Sequence, residues 1–363
     1  VANSQPNIPE TSSVNNETYM EPTQEAIKSN KVSLNKNIEV TTDTLRVNIS
    51  LNDGAIISSE LLKYLKYFGS SDEKVKLLTD TKGSRYTALA NIQSRELDAP
   101  AEYTSVKSRY SLGNNNELTV SIKGISPGLT EVIKSYTFTR NSHLVKVQQL
   151  VKNISNKKIE WRQYNTLSRG EETEGNGMLY TYTGAAYFDS EDKFNKIDFS
   201  DIEDESFQKE VKTSWISMIQ HYFFTAWLPS GKGSDKKTIY TRLLSEDNKN
   251  SYQIGSVDNY IALSPGESRS FDSKLYVGPK VQAEITDLAP GLALTVDYGV
   301  LTFLAAPLFW ILEKIHLIFG NWGWSIIMLT ILIKIVFFKL SEASYKSMAK
   351  MKKLTPRMTA LKE

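Results

Sequence analysis

The chain has 363 residues, a formal charge of only +2, no cysteine and three histidines. That composition excludes a disulfide framework and thiolate-built zinc or haem sites, and His143, His221 and His316 stand too far apart for a metal motif, so neither metal nor cofactor is expected. Charge is unevenly placed. Seven basic residues against two acidic ones follow Phe338, a net +5, which leaves −3 for everything before. A basic flank stays cytoplasmic, so the large N-terminal part is expected on the other side of a membrane.

Residues 1–35 are rich in Asn, Ser, Thr, Glu and Pro, which predicts a disordered linker. They hold neither a charged n-region nor an apolar h-region, so the export signal is expected to lie outside this sequence, and the chain reads as a fragment truncated at both ends.

From residue 36 to 278 short β-type runs alternate with turns. Ile38, Val40, Thr42 and Thr44 alternate, Leu45, Val47 and Ile49 shift the phase, and Asn52-Asp53-Gly54 is a turn. Runs recur at Leu118–Ile122, Val132–Thr139, Leu144–Val151, Met178–Tyr182, Thr238–Leu244 and Tyr260–Leu263, with turns at Gly113-Asn114, Ser126-Pro127-Gly128 and Ser264-Pro265-Gly266. The reading is mainly β, a large antiparallel sandwich.

Three places in it invite chemistry. Ser230–Lys237 combines glycine and lysine without phosphate-loop spacing and reads as a solvated hairpin tip. Asp198–Glu205 reads as an exposed acidic loop. Trp215, Tyr222, Phe223, Phe224 and Trp227 read as a core strand with its flanks rather than a sugar platform.

Residues 279–299 form a connecting helix and linker: Val281, Ile285 and Leu288 suggest a short helix ending before Pro290. Residues 300–319 carry Glu313, Lys314 and His316, and Pro307 interrupts them, leaving thirteen residues or about 20 Å of helix. Leu308, Ile311, Leu312, Ile315, Ile318 and Phe319 make one apolar side, so an amphipathic helix in the membrane interface is favoured over one arm of a hairpin. Gly320 ends it and Asn321 caps the next helix. Trp310, Trp322 and Trp324 are its interface anchors.

Within residues 320–340, Asn321–Phe338 is the only stretch able to cross a bilayer, eighteen residues or about 27 Å. Its one charge is Lys334. Gly323, Thr330, Lys334 and Ser341, spaced 7, 4 and 7, share a stripe on a straight helical wheel. Three readings of Lys334 stay open: an ammonium reaching the headgroups, an ion pair with a neighbouring helix, or a polar groove that receives a substrate. In residues 341–363, Met351, Leu354, Met358 and Leu361, led in by Met348, form a helix seam suited to packing or docking, which Pro356 would kink.

Four ordered blocks carry a resemblance. They are WISMIQHYFFTAWLP from Trp215, APGLALTVDYG from Ala289, PLFWILEKIH with GNWGWSIIMLTILI, and FFKLSEASYKSMAKM from Phe337, with weaker likeness over Tyr136–Ser155. The chain resembles the YidC insertases of bacterial inner membranes, of the wider Oxa/Alb group. The resemblance implies a periplasmic β-supersandwich similar to sugar mutarotases, then an interfacial helix, a membrane span and the start of a cytoplasmic helical hairpin. Spans before and after this stretch would complete the protein. It also implies a non-covalent insertase and chaperone rather than an enzyme, in which Lys334 takes the place of a groove-facing basic residue that is usually arginine. Partners implied are nascent membrane proteins, the Sec translocon, the ribosome and the lipid bilayer, with no direct nucleic-acid binding. Lys339 stands where the family often has proline, which would let the span run on. The alternative is a membrane-anchored periplasmic carbohydrate-binding or mutarotase-like protein; its site needs a histidine and a carboxylate converging in a cleft, and neither His143 nor His221 has a companion motif.

Overall fold

Alternating burial builds the first half of the chain. In Thr130–Thr139 every second residue from Thr130 to Phe138 faces inward, and in Leu144–Asn153 every second residue from Val145 does so, the period-2 signature of half-buried strands. This computed structural model describes residues 36–67, 69, 72–81, 84–95, 102–126, 130–170, 182–212, 214–230, 236–246, 249–296 and 302–360. The expected linker 1–35, most of the run Met178–Tyr182, the turn residues 127–128 and the hairpin tip 231–235 lie outside them.

The strands are β1 (Asn37–Thr41), β2 (Leu45–Ser50), β3 (Ile56–Leu65), β4 (Lys74–Thr81), β5 (Ser84–Ser94), β6 (Tyr103–Thr104), β7 (Arg109–Ser111), β8 (Glu117–Ser126), β9 (Thr130–Thr139) and β10 (Leu144–Asn153). They continue as β11 (Ile159–Gly170), β12 (Gly184–Asp189), β13 (Lys193–Ile197), β14 (Gln208–Lys212), β15 (Trp215–Ile219), β16 (Phe223–Leu228), β17 (Lys236–Glu246), β18 (Lys249–Asp258), β19 (Ile261–Leu263) and β20 (Ser268–Pro279). Two sheets result. An 11-stranded sheet runs β14-β17-β18-β11-β5-β4-β3-β2-β1-β7, with β19 on β11, and a 9-stranded sheet runs β13-β12-β15-β16-β20-β10-β9-β8-β6. Among the described pairings only β1 with β7 is parallel. The β9–β10 register places Val147 opposite Tyr136 and Val145 opposite Phe138, and a slip by one residue would turn all four outward.

One apolar core joins both sheets, from Val40, Leu61 and Leu167 to Val147, Met218 and Leu275. Trp215, Phe224 and Trp227 belong to buried strand positions, as expected, while Tyr222 at the β15–β16 turn is 68% exposed. Two of the buried indoles satisfy their polar atoms: Trp227 Nε1 donates to the Thr166 carbonyl at 3.0 Å and Trp215 Nε1 to that of Pro290 at 2.9 Å.

The acidic run departs from expectation. Asp198–Glu205 is not a loop but holds α1 (Phe199–Asp204), because Asp201 accepts the Asp198 backbone N–H at 3.2 Å, Ile202 is buried, and Phe199 stacks on Tyr252 with ring centres 4.2 Å apart. Its carboxylates form no metal-binding group among the described residues.

Residues 280–295 also do more than connect. α2 (Gln282–Ile285) and a 3-10 turn at Leu292–Thr295 sink Ile285, Ala289, Leu292 and Thr295 into the sandwich. Gly291 has φ +71°, and a Cβ there would stand 2.2 Å from the Phe188 ring, so only glycine seats this strap. The compact unit accordingly extends to Thr295, and a second begins at Val296.

A lysine sits inside the sandwich. Lys134 on β9 is fully buried, and its Nζ donates to the Asp53 carbonyl at 3.2 Å, while the neighbouring Tyr136 hydroxyl donates to Gly54. Gly54, at φ +72°, leaves the space these two groups fill. Burial pushes the Lys134 amine down to about 7, against the opposing pull of the Asp53 carboxylate. Between pH 7 and 10.5 the unfolded chain therefore binds a proton that the folded chain does not, and stability rises with pH there. Chemical denaturation of the chain across that window should show a gain of up to about 1.4 kcal/mol per pH unit, and Lys134→Met should flatten the slope.

Candidate functional site

Residues 302–360 form three helices, α3 (Thr302–Phe319), α4 (Trp322–Val336) and α5 (Phe338–Ala360). α3 is eighteen residues long, about 27 Å, rather than the thirteen expected. Pro307 lies inside it without ending it. Coming at the sixth position, it deletes the N–H that would have bonded the Phe303 carbonyl, a loss confined to the second turn of the helix. The side carrying Leu308, Ile311, Leu312 and Ile315 is half buried, and α3 packs against α4.

The turn between them is built as its residues dictate. Gly320 takes φ +63° and its N–H closes on the His316 carbonyl at 2.8 Å, ending α3. Asn321 then caps α4, its Oδ1 accepting from the N–H groups of Gly323 at 2.8 Å and Trp324 at 3.3 Å. His316 stacks flat on Trp322, ring centres 3.8 Å apart and 7° between planes. Trp310 and Trp324 are 59% and 61% exposed, and Lys314 Nζ stands 5.7 Å from the Trp310 ring centre. All three expected anchors thus present indole surface outward.

On α4, Ser325 is buried and Leu329 and Ile333 are half buried, a spacing of four that marks the side against α3. Gly323, Thr330 and Lys334 lie about 120° around the helix from that side at 100° per residue, all exposed. α3 therefore leaves the polar stripe open. Lys334 has no carboxylate within ion-pair distance among the described residues. The Thr330 hydroxyl is already engaged, donating to the Ile326 carbonyl at 2.8 Å, and Ser325 Oγ donates likewise to Asn321 at 2.7 Å.

The fourth member of the stripe is displaced. Substituting Lys339 for proline does not let the span run on: α4 stops at Val336, and its axis meets that of α5 at 59°. Phe337 leaves the α basin at φ −90°, ψ 6°, and its N–H is shared between the Ile333 and Ile335 carbonyls. Ser341 therefore sits on α5, outside the wheel that aligns Gly323, Thr330 and Lys334. No single helix among the described residues is long and apolar enough to cross a membrane; the bent pair α4 with Phe338–Met351 qualifies by length and composition. Met348 and Met351 are exposed on α5, the side chains of Leu354 and Met358 and all of Leu361 lie outside the described residues, and α5 runs through Pro356.

The sandwich does bring a histidine and a carboxylate together, which sequence proximity does not reveal. His143 Nδ1 lies 3.1 Å from Glu284 Oε2, across 141 residues of chain. The pair is a tie, not an open cleft. His143 is 5% exposed, flanked by Tyr64 and Tyr276, and burial holds its pKa below the usual histidine range despite the Glu284 carboxylate. It anchors α2 to the start of β10. His221 packs edge-on against Tyr222 at the opposite end of β15 from Trp215.

Two families match the chain nearly end to end, one described as the YidC periplasmic domain over residues 37–311 and one as the 60Kd inner membrane protein over residues 314–363. Among relatives, the membrane protein insertase YidC of Thioalkalivibrio sulfidiphilus is 38% identical over 340 residues, 90% of this chain and 60% of that protein. That of Dechloromonas aromatica is 39% identical over 343 residues, 92% of this chain and 60% of that protein. The chain therefore spans about 60% of the length of these curated relatives. A galactose mutarotase related enzyme from Lactobacillus acidophilus shares 11% identity over 66% of this chain and 97% of its own, with a TM-score of 0.45, a level from which no ligand or reaction follows.

The cap makes a prediction. Asn321→Ala should cost about 1 kcal/mol of α4 stability, read as roughly fivefold faster amide exchange at Gly323 and Trp324, with Asn321→Asp near the parent rate.

Proposed function

Because the chain belongs to the YidC family, we propose that it is the periplasmic domain and following membrane segment of a bacterial inner-membrane protein insertase. The observation that carries this is the tiling of residues 37–311 and 314–363 by a periplasmic-domain family and an inner-membrane-protein family. Residues 36–295 then stand in the periplasm, α3 lies in the outer interface with Glu313 and Lys314 at the water, and α4 enters the bilayer. The basic α5 stays cytoplasmic.

Insertion needs no covalent chemistry in this reading. A polar group brought into hydrocarbon costs several kcal/mol, and a groove holding water and one cation lowers that cost. Gly323, Thr330 and Lys334 supply one wall, and segments of the longer relatives beyond this chain supply the rest. Lys334 attracts acidic groups of an incoming segment as a point charge, without the planar fork of arginine. Substrates are nascent membrane proteins within the lipid bilayer, with the Sec translocon and the ribosome as further partners. A carbohydrate-binding reading gains nothing from His143 and Glu284, whose imidazole is closed to solvent.

Complementation of an insertase-depleted strain by the full-length protein tests the groove. Lys334→Arg should retain insertion, Lys334→Ala should reduce it at least tenfold at normal abundance, and a lysine moved to Ile331 should rescue little. A cysteine at Thr330 should crosslink a stalled nascent client, and one at Leu329, on the α3 side, should not. Normal insertion with alanine, or equal crosslinking at both positions, removes the groove from this face. In intact spheroplasts a cysteine at Glu313 should react with an impermeant maleimide and one at Lys350 should not; the reverse pattern inverts the topology.

A further inference from the structure

α5 carries its own recognition surface. Lys339, Lys346 and Lys350 are spaced 7 and 4, so at 100° per residue they fall within about 40° of one another on the helix. All three are exposed. Glu342 alone among nearby acids approaches the stripe, paired with Lys346 at 2.6 Å. Leu340, Met348 and Met351 occupy the other side, roughly 140° away, and all are more than 60% exposed. Ser344 falls within that apolar arc and Ser347 just beyond its edge. A seam so interrupted is narrow enough for a packed helix and too polar to sink into acyl chains.

We propose that Lys339, Lys346 and Lys350 hold the first turns of α5 against the phosphates of anionic lipid headgroups, with the Met348–Met351 seam turned away from the bilayer. The 59° bend at Phe337 supplies the geometry, since a helix leaving α4 at that angle runs obliquely to the membrane surface instead of projecting straight from it. Charge supplies the partner. A lysine beside an anionic leaflet contributes about fivefold in local partitioning, so three give on the order of a hundredfold at low salt, screened beyond a Debye length. This orientation is opposite to that of an ordinary interfacial amphipathic helix, which puts its apolar side down.

The inference rests on α4 lying in a bilayer, and the test separates the two. The chain has no cysteine, so single cysteines at Ala343, beside the lysines, at Met348, on the seam, and at Ile331, on α4, take a fluorescent label one at a time. The labelled chain is placed in nanodiscs of phosphatidylcholine alone or with 40% phosphatidylglycerol. A headgroup-attached quencher should quench position 343 at least threefold more strongly than 348 in the anionic discs, and this should vanish in 0.5 M salt or with K339Q/K346Q/K350Q. An acyl-chain quencher should quench position 331 in both. Stronger quenching at 348 than at 343, or equal quenching at 343 in both discs, overturns the lipid contact while leaving α4 in place. Loss of acyl-chain quenching at 331 overturns both readings. Tight binding of an RNA oligomer that abolishes headgroup quenching at 343 would assign the stripe to a nucleic acid and overturn the proposal as well.

Discussion

A polar group taken out of water must be given a partner, or must give up its charge, and both parts of this chain are shaped by that requirement. In the sandwich, Lys134 loses its preference for a proton and donates to a hairpin carbonyl, and His143 stays neutral against Glu284. In the helical part, Asn321 satisfies two amide donors at the head of α4, and the hydroxyls of Ser325 and Thr330 turn back onto their own helix. Lys334 stands outside this pattern. It is the one cation in α4, exposed, and set on a face that α3 leaves open.

The two polar ties in the sandwich are also its long-range fastenings. Lys134 and Tyr136 reach from the nine-stranded sheet to the β2–β3 turn of the other sheet, and His143 reaches to α2. Such contacts add direction to a core of valine, leucine and aromatic side chains that would tolerate several packings. The Trp215 bond to Pro290 and the Gly291 seat on Phe188 do the same for the strap, so residues that look like a connector are mounted on the sheet's end.

Much of this was legible in the sequence because it is local. Period-2 runs marked β8, β9, β10 and β17, and Gly320-Asn321 marked the end of one helix and the cap of the next, since cap chemistry involves residues two or three apart. What escaped is non-local or geometric. α1 depends on Phe199 finding Tyr252, and the His143–Glu284 tie spans 141 residues with nothing in either neighbourhood to announce it. The break at Phe337 has neither proline nor glycine to signal it, and a wheel drawn through it misplaces Ser341. Within the candidate site, the shared face of Gly323, Thr330 and Lys334 was legible from spacing alone; that α3 covers Ser325 and Leu329 instead required the fold.

The break at Phe337 has a mechanical side. A proline kink is permanent, because the ring deletes a donor and occupies the space of the missing bond. Here every amide is retained, and the Phe337 N–H already touches the Ile333 carbonyl that a straight helix would use. Straightening the joint takes new dihedral angles at Phe337 together with the i→i−4 hydrogen bonds that a continuous helix would carry across it. α4 alone spans about 22 Å, short of a typical hydrocarbon layer, whereas the straightened pair adds Phe337, Phe338 and Leu340 to its apolar length. Bend and reach are thus alternatives at this joint: the 59° bend keeps Phe338 and Leu340 off the line of α4, and only a straight joint would add them to its apolar length.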